Sequence, residues 1–332
     1  MHMADALIAP AVAGTMAVCS GVAAAHSIRT VRLSDDRKNI PLAGVMGAFV
    51  FAAQMINFSI PGTGSSGHLT GGMMLAAVLG PEAAFLSLIG VLTIQCLFFA
   101  DGGLLAIGCN IWNMAFYGCF IGGGLIWRAI LKGGISKKRI TAASILGCIL
   151  SMELGALSVT IETTLSGITE LPFNVFLGAM LPIHVAIGLV EGLITAAVLC
   201  FIYETRPEML KGIGKNDMSG SSRMKRGTVI TVIGVAAAVV GGVVSLFASG
   251  LPDGLEWSVE RVAGEVEGAG GGAYTIAERI QNFFAFLPDY SFPGSESAAG
   301  TSVSGIAGSA MVLILVVAVS WLIRSFMKQK QS

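Results

Sequence analysis

Eight long apolar runs dominate this chain of 332 residues and limit what it can fold into. They lie near residues 5–28, 40–59, 69–100, 103–128, 140–163, 178–203, 228–249 and 309–325. A helix needs about 20 apolar residues to cross a bilayer. Only 12% of the residues are charged, whereas soluble domains carry roughly 25%. The sequence therefore predicts an all-α, polytopic membrane protein embedded in a lipid bilayer.

Basic residues predict how many times the chain crosses the membrane. Arg and Lys cluster at 29–38, 128–139, 206–226 and 324–330, and the positive-inside rule places all four clusters in the cytoplasm. The crossings between the first two clusters must then be even in number, so the run 69–100, interrupted at Gly80-Pro81, is expected to cross twice, near 69–80 and 83–99. We expect a seven-helix bundle, two further transmembrane helices and an extracytoplasmic N-terminus.

This topology divides the chain into three parts. Residues 1–204 form a seven-span domain, residues 205–227 a basic cytoplasmic linker, and residues 228–332 a two-span auxiliary domain. Within the auxiliary domain, the extracytoplasmic segment 250–308 holds eight acidic residues against two basic ones, and its glycines predict loose structure. Because the formal net charge is zero and the basic residues fall in short clusters, nucleic acid is not expected as a partner.

Two helix ridges of small residues are suited to close helix packing in lipid. One carries Ala9, Ala13, Ala17, Gly21 and Ala25, and the other carries Gly44, Ala48 and Ala52. Either ridge could pack within the chain or dock against a partner subunit.

Several enzyme motifs are missing. The sequence contains no GxxxxGK[ST], HExxH or GxSxG, which counts against a nucleotide motor, a zinc protease and a serine hydrolase. All six cysteines lie in apolar runs without a CxxC pair, so we interpret them as packing residues.

The first two residues, Met1 and His2, offer an unusual set of metal donors. The α-amine, the His2 amide after it loses its proton, and the His2 imidazole close adjacent chelate rings in nearly one plane. A fourth nitrogen would complete a square, which favours Ni(II), Cu(II) or low-spin Co(II) over tetrahedral Zn. No basic residue precedes the first apolar run, so we expect an uncleaved helix rather than a signal peptide.

A second candidate ligand, His68, lies in the glycine-rich loop 57–72, which reads NFSIPGTGSSGHLTGG. The predicted topology places this loop on the same side of the membrane as His2. Asn57 and Ser66 could hydrogen-bond His68 and fix the orientation of its ring. The alternative is a flexible surface loop.

Other ionisable residues lie inside predicted spans. His184 and Glu191 are seven residues apart and share a helix face, and we expect them to form a structural polar network. Glu153 and Glu162 share a face less clearly, and His26 is expected at the membrane interface.

Three motifs together resemble a known family. The start MHMADALIAP, the loop motif GHLTGG and HVAIGLVEGLIT in the seventh span resemble the nickel/cobalt substrate-capture subunits of energy-coupling-factor ABC transporters. The acidic-loop part, with LPDGLEWSVE, resembles the small auxiliary subunit of the same systems, fused at the C-terminus. The resemblance implies that Met1, His2 and His68 bind Ni²⁺ or Co²⁺ as transported substrate. It also implies a transmembrane coupling subunit and ATPase subunits as partners, in the plasma (inner) membrane of a prokaryote.

The functional hypothesis is therefore a non-enzymatic, substrate-binding subunit of an ATP-driven nickel or cobalt uptake system, without an enzyme cofactor. The alternatives are a proton-coupled metal transporter that uses His184 and Glu191 as a relay, an intramembrane enzyme, and a membrane metal sensor. The residues do not decide between nickel and cobalt.

Overall fold

A computed structural model describes residues 1–31, 39–212, 224–264, 270–294 and 298–329 of the chain. The α-helices are α1 (Pro10–Thr30), α2 (Asn39–Gln54), α3 (Gly72–Leu79), α4 (Pro81–Phe99), α5 (Ile107–Leu131), α6 (Lys137–Ser166), α7 (Phe173–Thr205), α8 (Arg226–Gly242), α9 (Gly254–Ala263), α10 (Gly272–Phe284) and α11 (Ala298–Gln329). Two short strands, β1 (Phe58–Ile60) and β2 (Ser65–Gly67), form an antiparallel hairpin.

The predicted all-α membrane architecture is confirmed. Among the described residues, seven helices are long and apolar enough to cross a bilayer. They are α1, α4, α5, α6, α7, α8 with its continuation to Phe247, and α11. The expected crossings at 40–59 and 69–80 correspond to shorter helices, Ile40–Gln54 and α3. Both are short because the apolar run after Gln54 turns into the β-hairpin and the glycine-rich loop instead of continuing as helix.

The interruption at Gly80-Pro81 separates α3 from α4 as predicted. Gly80 has a φ of +88°, a backbone conformation that glycine adopts without strain. Pro81 is the first residue of α4, where its fixed φ and missing N–H are tolerated.

Close backbone contacts through glycine hold the first domain together. A Cβ at Gly188 or Gly192 of α7 would lie 2.9 Å or 2.6 Å from a Cα atom of α6. A Cβ at Gly118 of α5 would lie 2.9 Å from the Cα of Gly72, where α3 begins directly after the glycine-rich loop. Such small residues let helix backbones approach each other where the lipid supplies no hydrophobic drive.

The auxiliary helices pack onto α2. A Cβ at Gly44 would lie 2.9 Å from a side-chain carbon of Val317 on α11, and the Ser309 hydroxyl donates to the Ala48 carbonyl at 3.3 Å. The ridge Gly44/Ala48 thus packs within the chain. On α1, by contrast, Gly21 has no atom within 4 Å of where a Cβ would stand, so this member of the first ridge stays open.

The acidic segment 250–308 is more ordered than predicted. The expectation of loose structure is wrong for its described parts, which contain α9 and α10. Asp253 and Glu256 form a reciprocal capping box that starts α9. Gln281 of α10 donates to the Cys96 carbonyl at 2.9 Å and to the Gly102 carbonyl at 2.8 Å, which fastens the segment to the first domain. Residues 213–223 of the predicted linker 205–227 lie outside the described residues.

Replacing Gly118 with Ala should destabilise the bundle. The new methyl group meets backbone atoms of Gly72, which cannot rotate away, so overpacking should cost about 1–3 kcal/mol. We expect a lower apparent Tm for the detergent-solubilised chain, measured by differential scanning fluorimetry.

The matched control is Gly178→Ala in α7, where the added methyl group has no atom within 4 Å. Helix propensity alone should leave this variant as stable as the wild type or slightly more stable. Equal Tm values for the two variants would contradict the packing explanation.

Candidate metal centre

The first three residues lie inside the protein, where hydrogen bonds to Asn110 and Gly103 hold the main chain at Met3. Asn110 of α5 accepts from the Met3 amide at 2.7 Å and donates back to the Met3 carbonyl at 3.1 Å. The Gly103 amide also donates to that carbonyl at 2.9 Å. Met1 is only 4% exposed. These contacts fix the N-terminal amine at a defined position in the interior.

The Met1 amine donates a hydrogen bond to His68 Nε2 at 2.9 Å. The other ring nitrogen, Nδ1, lies 3.0 Å from the Leu69 carbonyl. Because a carbonyl only accepts, Nδ1 carries the ring hydrogen and Nε2 carries the lone pair. His68 therefore presents a nitrogen that is ready to coordinate, directly at the amine.

His2 is oriented by a chain of side-chain amides. The Gln54 amide group donates to the Thr70 carbonyl at 2.8 Å, and Gln95 donates to the Gln54 oxygen at 2.9 Å. This order leaves the Gln95 oxygen facing His2 Nε2 at 3.2 Å. The Asp101 carboxylate lies beside the other ring nitrogen, Nδ1, so each nitrogen faces an acceptor and a neutral ring can donate to only one of them. Nδ1 is the nitrogen that can close a chelate ring with the His2 amide.

The His2 ring is neutral in this setting. Burial lowers its pKa to about 4 and outweighs the opposing effect of Asp101, whose carboxylate lies 3.1 Å from Nδ1. The rings of His2 and His68 stack with their centroids 5.1 Å apart. Two imidazoles and the chain's own amine thus converge on one small volume.

One face of α7 forms the floor of the glycine-rich loop. Glu191 accepts from the main-chain amides of Thr70 and Gly71 at 3.0 Å and 2.9 Å, and from the Thr70 hydroxyl at 2.9 Å. A Cβ at Gly67, next to His68, would lie 2.4 Å from Ile187. The loop can approach α7 this closely only with glycine at position 67, and Glu191 anchors its far end.

The auxiliary domain closes the site from the other side. Asp253 pairs with the Met1 amine, and the same oxygen lies 3.7 Å from His68 Nε2. The second oxygen caps α9 by accepting from Leu255 and Glu256 amides at 2.7 Å and 2.9 Å. Burial would raise the pKa of the Asp253 carboxyl, but the Met1 ammonium and His68 hold it well below its usual range.

Segment 249–256, which carries Asp253, is fastened to the glycine-rich loop. The Ser66 amide donates to the Pro252 carbonyl at 2.8 Å and the Ser66 hydroxyl to the Leu251 carbonyl at 2.7 Å. The Asn57 carbonyl accepts from the Ser249 amide at 2.7 Å. The two residues predicted to orient His68 thus lie against the auxiliary domain.

A cavity of about 520 Å³ opens beside the site. Its lining includes His2 and six acidic residues, Asp5, Asp101, Asp253, Glu256, Glu278 and Asp289. The first domain and the auxiliary domain contribute to it together, so the negative potential next to His2 is a property of the fused chain.

The structure brings Met1, His2 and His68 together. His184 lies near them on α7, and its ring faces Gly254. Glu162 accepts from Asn113 at 2.7 Å, outside this cluster, and His26 is exposed beside Thr30. Among the described residues, no group of three or more His, Cys, Asp or Glu side chains is placed to hold a metal ion.

Sequence reasoning missed the residues that hold the centre: Gln54, Gln95, Asp101, Asn110 and Asp253. Four of them offered no distinctive spacing. Asp253 did offer one, because D-G-L-E satisfies the acidic N-cap and Glu-at-N3 pattern that begins a helix.

Comparison with known proteins assigns both parts of the chain to families. Residues 2–209 match the CbiM family, described as the cobalt uptake substrate-specific transmembrane region, and residues 227–325 match the PDGLE domain. Residues 252–256, which include Asp253, read PDGLE in this chain.

Relatives include the putative fused nickel transport protein NikMN of Archaeoglobus fulgidus, 35% identical over 95% of this chain and 96% of its own length. The probable fused nickel transport protein LarMN of Lactiplantibacillus plantarum is 27% identical over 95% of this chain and 96% of its own length. A crystal structure of a truncated transition metal transporter matches 61% of this chain and 99% of its own, with 32% identity and a TM-score of 0.54. The chain belongs to the CbiM family of cobalt-uptake substrate-specific transmembrane regions, with a PDGLE domain fused at its C-terminal end.

Proposed function

We propose that this chain captures Ni²⁺ or Co²⁺ at the outer face of a prokaryotic plasma membrane, as the substrate-binding subunit of an ATP-driven uptake system. The observation that carries the proposal is the Met1 amine held 2.9 Å from His68 Nε2, with the His2 ring stacked on His68. Relatives named as nickel and cobalt transport proteins support the same substrate class.

Four nitrogens form the proposed ligand set. They are the Met1 amine, the deprotonated His2 amide, His2 Nδ1 and His68 Nε2. The first three belong to consecutive chelate rings and must lie close to one plane, which suits Ni(II) or low-spin Co(II) and disfavours tetrahedral Zn. The Leu69 carbonyl holds His68 in the tautomer that this arrangement needs, and Gln95 and Asp101 orient the His2 ring.

The acidic cavity is the proposed access route for the ion. Its carboxylates raise the local concentration of divalent cations next to His2. Because Glu256, Glu278 and Asp289 come from the auxiliary domain, we assign that domain a role in gathering the ion as well as in covering the site.

The driving energy is proposed to come from partner ATPase subunits through a transmembrane coupling subunit. The exposed face of α1 has no atom within 4 Å of where a Cβ would stand at Gly14 or Gly21, and Val18 and Val22 are each 66% exposed. It offers a helix surface where such a subunit could pack closely.

Extending the chain by one residue ahead of Met1 should abolish high-affinity Ni²⁺ binding. The extension moves the amine out of the chelate, and loss of a ligand from a four-nitrogen set should weaken binding by at least roughly 100-fold. His68→Gln and His2→Gln should lose a comparable amount. Gln is preferred to Ala at position 2 because a bulky second residue keeps Met1 on the chain. Isothermal titration with Ni²⁺, followed by Co²⁺ and Zn²⁺ competition, measures the change.

His26→Gln is the matched control for loss of a histidine, since His26 is exposed beside Thr30. It should bind as the wild type does. Wild-type affinity in the extended chain would rule out the amine as a ligand.

The stability of the metal-free protein should fall in acid, in part through His2. The His2 pKa is about 4 in the folded protein against 6.5 ordinarily, so between these values the unfolded chain binds a proton that the folded chain does not. Stability therefore rises with pH across this window and is complete above 6.5, a linkage of about 3 kcal/mol. Apparent Tm values from pH 4 to 7 should show this slope, and His2→Gln should flatten it.

His26→Gln again serves as the control and should keep the slope. An identical slope in His2→Gln and the wild type would show that folding does not lower the pKa of His2.

Uptake of radioactive Ni²⁺ should require the partner ATPase. Cells that express this chain alone should retain bound metal without accumulating it, because the chain carries no nucleotide-binding motif. Full accumulation in cells that lack every ATPase partner would favour the proton-coupled alternative.

A further inference from the structure

His184 of α7 is a buried histidine whose second nitrogen has no partner. The residue is 1% exposed, and its Nδ1 lies 2.7 Å from the Met180 carbonyl one turn earlier in the helix. Because that carbonyl can only accept, Nδ1 carries the hydrogen and Nε2 carries a lone pair. Nε2 is fully enclosed and finds no hydrogen-bond partner.

The lone pair faces segment 249–256. A Cβ at Gly254 would stand 3.2 Å from His184 Nε2 and 3.1 Å from the adjacent ring carbon Cε1. Gly254 directly follows Asp253, which pairs with the Met1 amine. The unpaired nitrogen, His184 Nε2, thus lies against Gly254, next in the chain to Asp253, which pairs with the Met1 amine.

The same face of α7 also packs against the glycine-rich loop. Ile187 lies one turn further along α7 and contacts both glycines, with a Cβ at Gly67 or Gly254 placed 2.4 Å or 2.9 Å from its side chain. A structural histidine at this position would be expected to use both nitrogens, because an unpaired polar atom in the interior is costly. His184 instead keeps one coordinating nitrogen unused and covered.

We propose that His184 Nε2 is a transient ligand for the transported ion, used after capture when Gly254 moves away from α7. This inference rests on the proposed function. The ion would exchange one of its capture nitrogens for His184 Nε2, so that it moves inward toward α7 without becoming fully hydrated. An unpaired imidazole nitrogen suits Ni²⁺ and Co²⁺ as a ligand.

The first experiment separates capture from transport in the variant His184→Phe. Equilibrium Ni²⁺ binding to the purified full chain should stay within about twofold of the wild type, since the capture set does not include His184. The rate of radioactive Ni²⁺ uptake by cells with the complete transporter should fall by at least about tenfold. His26→Phe, the matched control, should leave both quantities unchanged.

A second experiment uses Asp253→Asn, which removes the ion pair with the Met1 amine but keeps a residue that can cap α9. Once segment 249–256 is loosened, His184 becomes available to the bound ion. Adding His184→Phe to this background should therefore weaken Ni²⁺ binding by about tenfold, in contrast to its small effect in the wild type.

The outcomes are distinct. Unchanged uptake in His184→Phe overturns the proposal, and so does an equal loss of binding in both backgrounds, which would mark a structural role. If instead the wild type itself bound neither Ni²⁺ nor Co²⁺, the proposed function would fail before His184 was tested.

Discussion

The contact on which this structure depends is the burial of the chain's own amino group between an imidazole and a carboxylate. A buried ammonium is costly unless it is paired and hydrogen-bonded. Here Asp253 supplies the charge and His68 Nε2 supplies the lone pair. The remaining features serve this arrangement: Asn110 holds Met3 so that the amine reaches the interior, and Glu191 ties down the loop that carries His68. Because each element is fixed by a separate set of contacts, the fold alone positions the three nitrogen-bearing residues.

The same contact makes the two domains a single functional unit. Asp253 is placed by its own capping box and by the Ser66 contacts to segment 249–256, so its carboxylate reaches the amine without an adjustable loop. The first domain supplies the nitrogens, whereas the auxiliary domain supplies charge and cover. Fusion of the two parts in one chain keeps this acid at a high effective concentration beside the site.

Much of this arrangement could be predicted from sequence because its signals are local. The apolar runs, the break at Gly80-Pro81 and the charge clusters require only hydropathy and chain order, and the Met1-His2 start combines its donors within two residues. The supporting groups could not be found in this way. In the sequence, Gln54, Gln95 and Asn110 carry no signal that sets them apart from other amide side chains. Their hydrogen bonds form only when α2, α4 and α5 pack together, and they join residues 41 to 107 positions apart in the chain. The acidic segment is more ordered than its composition predicts, because the helix-start pattern at Asp253 and Glu256 acts locally and is independent of the glycines that follow.

In the proposed chelate, Asp253 would also balance the charge of the bound ion. In the metal-free site, the ammonium carries one positive charge and the His2 amide is neutral. When a divalent ion binds, the amine and the amide each lose a proton, so the ion and the deprotonated amide together again carry one positive charge. Asp253 therefore faces the same net charge in both states, and its pairing opposes neither. The auxiliary domain can thus cover the site with either the ammonium or the proposed ion inside, because Asp253 is a buried carboxylate that has a counter-charge in both states.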